Sequence, residues 1–179
     1  MLILEKLEKT GKECGFTHVG SLDVNTIRLL PQVREMCSRN SCHMYGKNWC
    51  CPPGCGTLEE CGSRIRKYSH GILVQTVGGL EDALDGEGMM ETEARHKKNF
   101  DRLREALLPE FPGMLSIGSG CCTRCKECTY PDHPCRFPGN SFASMEAYGM
   151  LVTEICKANG MDYYYGPCTI SYTGCFLLE

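Results

Sequence analysis

The 179-residue chain has a single tryptophan, no strong excess of either charge, and no apolar run near the roughly 20 residues that a membrane span needs. Its formal net charge is −3. Without a basic excess, nucleic acid and anionic membranes are excluded as principal partners. The opening stretch, MLILEKLEKTGKEC, is charged from Glu5 onward. It has neither the apolar segment nor the small-residue cleavage site of a secretory leader, and it reads as an amphipathic helix. The expected compartment is therefore the reducing cytoplasm. Glycine-rich nucleotide fingerprints, a phosphate loop and a Ser/His/Asp order are also missing, and no acid–base or covalent catalytic set stands out. There is no internal repeat of strict period.

Cysteine is what the chain has in excess: fifteen residues. In a reducing compartment such a set binds metal more readily than it forms disulfides. The odd count leaves at least one thiol unpaired in any all-disulfide scheme.

The densest stretch is GSGCCTRCKECTYPDHPCRFP, Gly118 to Pro138, with five cysteines in 21 residues. Cys122, Cys125 and Cys128 stand in a C-x2-C-x2-C run, and Cys135 follows after a gap of six residues. Two-residue gaps let the chain curl about one centre so that successive thiolates point inward. Iron–sulfur ferredoxins use such a run, closed by a fourth cysteine and a proline. Here the last gap is longer, and the proline comes three residues after Cys135. Zinc sites prefer two C-x2-4-C knuckles separated by a longer linker, whereas this run overlaps its two-residue gaps and fits an iron–sulfur cluster better. Cys121 is left spare.

A second, looser set lies upstream. Cys37 and Cys42 are followed by His43, Tyr45, Lys47, Trp49 and then Cys50-Cys51-Pro52-Pro53-Gly54-Cys55. The prolines forbid a regular helix or central strand, so these cysteines are expected on a loop. Cys37, Cys42, Cys51 and Cys55 form the expected ligand set, with Cys50 and Cys61 as alternatives for the fourth place. Trp49 is either a shield for the metal or an ordinary core anchor. Cys14 and Cys156 fall in helical patterns and read as buried small hydrophobes. Cys168 and Cys175 read as core residues, with a ligand role left open.

The rest of the pattern describes an α/β or α+β domain spanning residues 1–179. The expected architecture is a single small mixed sheet of about four to five strands, flanked by helices, with two cysteine-rich metal-binding loops. Helices are expected over 2–13, from Asn25 or Thr26 towards Cys37, from a capping box at Thr57/Glu60, over 89–108, and from Ser144 through Asn159. Strands are expected at 18–24, 71–77, 114–118, 162–165 and 170–178. Met89, His96, Phe100, Leu103 and Leu107 share one helical face, where His96 reads as a core histidine ahead of a ligand.

Several pieces together resemble a known family. They are Cys37-x4-Cys42, Tyr-Gly-Lys-Asn-Trp-x-Cys51-Pro-Pro, the C-x2-C-x2-C run, Pro-Cys135-Arg-x-Pro and Ser144-Met-Glu-Ala-Tyr-Gly. The chain is similar over residues 30–179 to the predicted metal-binding proteins of unknown function found largely in anaerobic bacteria and archaea. The resemblance implies a cysteine-bound metal, and iron–sulfur in particular, without supplying a reaction. Two [4Fe–4S] clusters exchanging electrons with a partner redox protein are the expectation. A cluster-dependent enzyme with an open iron on the first loop, using His43, Tyr45 and Lys47, is the first alternative. A zinc-stapled interaction module is the second.

Overall fold

A computed structural model describes residues 2–179. Among them, five α-helices and four strands form: α1 (Leu2–Glu13), β1 (His18–Asp23), α2 (Pro31–Ser38), α3 (Leu58–Ile65), β2 (His70–Gly79), α4 (Gly86–Leu107), β3 (Leu115–Ile117), α5 (Val152–Ala158) and β4 (Thr169–Leu178). The strands make one sheet in the order β1-β2-β4-β3, every neighbour antiparallel. The α/β class and the strand number match the expectation from sequence.

The central strands explain why helices cover both faces. β2 runs Ile72-Leu73-Val74 and β4 runs Cys175-Phe176-Leu177-Leu178 without polar alternation, as strands buried on two sides do. Side chains alternate across the sheet. Ile72, Val74, Phe176 and Leu178 face Leu7 of α1 and Phe100, Leu103 and Leu107 of α4. Leu73, Cys175 and Leu177 face Ile65 of α3 and Val152 and Ile155 of α5. Cys156 and Cys175 are fully buried in this second layer, and Cys61 joins them there. Cys14 is half-buried against the first layer, whereas Cys168 is exposed.

Local chemistry sets the helix ends. Thr57 caps α3 in a full capping box, its hydroxyl accepting from the Glu60 N–H while the Glu60 carboxylate accepts from the Thr57 N–H at 2.7 Å. Asp85 caps α4 by accepting from the Gly88 N–H at 2.9 Å. Pro31 takes the first position of α2, where its missing N–H costs nothing, so this helix starts later than Asn25.

Two expected elements differ. The helix from Ser144 is broken: a 3-10 turn covers Glu146–Tyr148, Gly149 adopts φ +85°, and Met150 bridges Leu29 before α5 begins. A left-handed residue ends a helix, and glycine adopts it without strain. The segment 162–165 is no strand. Tyr165 instead stacks on His18 at 4.8 Å and donates to Gln75 Oε1 at 2.6 Å, so side-chain bonds replace a ladder.

The sheet's contribution to the site is an anchor. β3 ends at Ile117, and the chain returns to the same point 26 residues later. The Gly118 N–H donates to the Ala143 carbonyl at 2.9 Å and the Met145 N–H to the Gly118 carbonyl at 3.1 Å. The second cysteine loop is thus pinned at both ends to the sheet edge.

Candidate metal centre

The first cysteine loop joins α2 to α3 and folds on its own polar groups. Asn48, almost wholly buried, accepts from the Cys50 N–H at 2.9 Å. The Gly46 N–H donates to the Pro52 carbonyl at 2.8 Å, and the Tyr45 N–H to Asn40 Oδ1 at 2.9 Å. Arg34 of α2 clamps the far end. Its guanidinium donates to Cys55 Sγ at 3.2 Å and to the carbonyls of Ala147 and Gly56.

Cys37, Cys42 and Cys51 line a cavity of about 500 Å³, and Cys121 of the second loop lines it with them. Tyr45, Glu146, Tyr163 and Tyr172 complete much of its wall. Burial pushes the Cys51 thiol up to about 11, against a hydrogen bond from Asn48 that lowers it, with the Cys121, Cys42 and Cys55 sulfurs adding repulsion. Burial also raises Cys37, and the Glu146 carboxylate adds to it. His43 and Lys47 are exposed.

Cys55 stands behind this group. It is buried, lies 3.5 Å from the Ala147 carbonyl, and borders a separate cavity of about 600 Å³ with Arg64 and Tyr148. A hydrogen bond from the Cys61 thiol brings Cys55 down to about 6, with Arg34 as a further cause, and the same bond pushes Cys61 up. The Cys55 sulfur is still near enough for its charge to raise Cys37 and Cys51.

The second group is tighter. Cys122, Cys125, Cys128 and Cys135 surround a hollow of about 20 Å³, and Cys50 of the first loop is the fifth thiol there. The Cys50 S–H donates to Cys122, which brings Cys122 down to about 6 and pushes Cys50 up; the Arg124 backbone and the Arg124 and Lys97 charges lower Cys122 further. Cys135 Sγ lies 3.3 Å from Ser141 Oγ and accepts from the Phe137 N–H at 3.4 Å. A thiolate ready at neutral pH is what a metal requires, and N–H bonds to sulfur raise the potential of an iron–sulfur centre. Trp49 is half-buried beside this second group: its indole donates to the His133 carbonyl at 3.1 Å and meets Tyr130 edge-on. Arg124 ties the loop to α4 through an ion pair with Asp101, and its 2.6 Å bond to the Asn140 carbonyl joins the two limbs of the loop.

The eight expected ligands therefore fall into three places: Cys37, Cys42 and Cys51 together; Cys122, Cys125, Cys128 and Cys135 together; and Cys55 apart. Cys50 and Cys121, spare by sequence, cross over into the opposite loop's group. The signal was the two Cys-Cys dipeptides, whose neighbouring side chains diverge from a shared backbone. His96 is wholly buried between Phe16 and Phe100, its Nδ1 3.1 Å from Thr76 Oγ1 and its Nε2 without a partner. Burial, with Lys97 second, brings it down to about 3 and keeps it neutral.

Among the described residues, no three Cys, His, Asp or Glu side chains converge on one point as they would around a single ion; the thiols line cavity walls. No described helix is long and apolar enough to cross a membrane. No curated protein and no solved structure matches the chain. One family model does, over residues 20–178, and that span takes in both thiol groups. The chain belongs to the family described as predicted metal-binding protein (DUF2284).

Proposed function

We propose that this protein carries two iron–sulfur centres and passes single electrons between partner redox proteins in the cytoplasm. The observation that carries the reading is the pair of adjoining all-thiol groups, one lining the 500 Å³ cavity and one at the C-x2-C-x2-C hollow. Thiolate sets of four are what [4Fe–4S] clusters take. Cys122, Cys125, Cys128 and Cys135 would hold one centre, and Cys37, Cys42 and Cys51 would supply three ligands of the other. Bound there, a cluster takes up and gives back one electron.

The chain's own groups do the rest. Arg34 fixes the first loop, and the pinned ends at Gly118 and Ala143 fix the second. Trp49 lines the second group's hollow, and Tyr130 packs edge-on against it. Its hollow has room for about one water, so loading needs the loop to yield. Most of the intervening residues from Thr123 to Asn140 are exposed and lack regular structure, which makes yielding cheap.

Anaerobic purification tests this. Brown protein with iron and acid-labile sulfide in near-equal amounts is expected. Colourless protein carrying zinc would replace the proposal with a zinc-stapled module. The 500 Å³ cavity favours one other reading, a cluster-dependent enzyme, since spaces of that size take small organic molecules. Its mark is a reduced-state EPR spectrum that changes when such a molecule is added.

A further inference from the structure

We infer that the second loop lends a ligand to the first centre: Cys121 completes it, and the dipeptides Cys50-Cys51 and Cys121-Cys122 each place one thiol at either centre. This rests on the reading of two metal centres and names their connection. The cavity lining carries it. Cys37, Cys42, Cys51 and Cys121 share one cavity, while Cys122, Cys125, Cys128, Cys135 and Cys50 share the other. Gly120 makes the crossing possible. At φ +68° it turns the chain just before Cys121, and a Cβ there would stand 2.3 Å from Glu93 Oε1.

Cys55 is already engaged. Its sulfur accepts from Arg34 at 3.2 Å, the Cys61 thiol lies beside it, and it borders the other side of the loop. No metal is needed to satisfy it. Cys121 has no such partner and faces the open cavity.

The consequence is a double covalent connection. Adjacent Cα atoms are about 3.8 Å apart, so each dipeptide joins the centres through one peptide link. Two paramagnetic centres so joined are expected to interact, and loss of one is expected to weaken the other's hold.

The test uses full-length protein prepared without oxygen, as wild type, Cys121→Ser and Cys55→Ser. Metal and sulfide per chain are measured, and EPR is recorded after dithionite reduction. Cys121→Ser is expected to lose or shift one centre's signal, while Cys55→Ser keeps both, with the splitting of interacting spins. Loss of a centre in Cys55→Ser with both intact in Cys121→Ser overturns the assignment.

If Cys121→Ser does not fold, wild type answers instead. Brief alkylation of the native protein, loaded and chelated, followed by peptide mass analysis, reads the metal's protection of each thiol. Cys121 is expected to be protected only when metal is bound. A Cys121 equally reactive in both states overturns the assignment and leaves the two-centre reading standing. Wild type holding neither iron nor zinc sinks both readings. Zinc in place of iron sinks only the iron–sulfur reading, since the protection pattern still decides the ligands.

Discussion

The first and second cysteine loops reach similar chemistry by opposite constructions. The first is knit from inside: buried Asn48, the Arg34 clamp and the capped start of α3 hold it without a metal. The second is held at its ends and by two outside braces, Arg124 on Asp101 and Trp49 on His133, with most of its length exposed. A prebuilt loop keeps its cavity open, and a loosely held one closes on its thiols. The first centre should therefore tolerate metal loss with little structural change. The second should gain much of its order from the metal, since binding to an unformed site appears as folding free energy.

The sharpest way to break that contrast is to remove the second centre. Cys125→Ser with Cys128→Ser should cut iron per chain by about half. Residues 123–140 should then exchange amide hydrogen as fast as an unfolded chain, while 43–56 stay protected. Equal loss of protection in both loops would erase the distinction.

Acid should act next, at the floor beneath the point where the groups meet. His96 lies under Cys121 and Cys122, bordering a cavity of about 70 Å³ with them. Its folded pKa, about 3, is below the unfolded value. Between the two, the unfolded chain binds more protons, so stability rises with pH. The contribution is complete above about pH 6.5 and is lost as pH falls towards 3, at most about 4–5 kcal/mol. Chemical denaturation of metal-free wild type and His96→Gln from pH 7 to 4 checks it. The variant should lose less stability on acidification, and parallel curves would contradict the assignment.

Arg34→Met addresses the first loop. It removes the guanidinium donor from the Ala147 and Gly56 carbonyls and from the Cys55 sulfur, and should cost about 2–3 kcal/mol in the metal-free protein. Second-loop exchange rates should not change.

How much of this was legible in the sequence follows the same division. The second loop's run is local, and four cysteines separated by gaps of two to six residues can be read directly from it. The first loop's grouping is tertiary: Cys55 and Cys51 are close in sequence, yet Arg34, 21 residues before Cys55, draws Cys55 away from the cavity side. Cys121 reaches the first cavity only because Gly118 returns to Ala143 at the sheet edge. The central strands and α4 announced themselves by period and composition. The break at Gly149 did not, because one glycine in an otherwise helical pattern does not show whether it turns left-handed. Nor did 162–165, where three tyrosines have strand propensity but Tyr165 finds better partners in His18 and Gln75.

Trp49→Phe is the mildest intervention and asks whether the second loop borrows order from the first. Trp49 belongs to the first loop, but its indole N–H donates to the His133 carbonyl and its ring meets Tyr130. Phenylalanine keeps most of the ring and removes the donor, a loss of about 1 kcal/mol. Global stability should fall by no more than that. The local effect should be clearer: in metal-free protein, Cys135 should be alkylated severalfold faster, while Cys51, which lines the first cavity, keeps its rate. Metal binding should abolish the difference at Cys135, because ligation fixes the loop more strongly than one hydrogen bond. If both rates rise together, the tryptophan is a core anchor of the first loop and the second loop orders itself without its help.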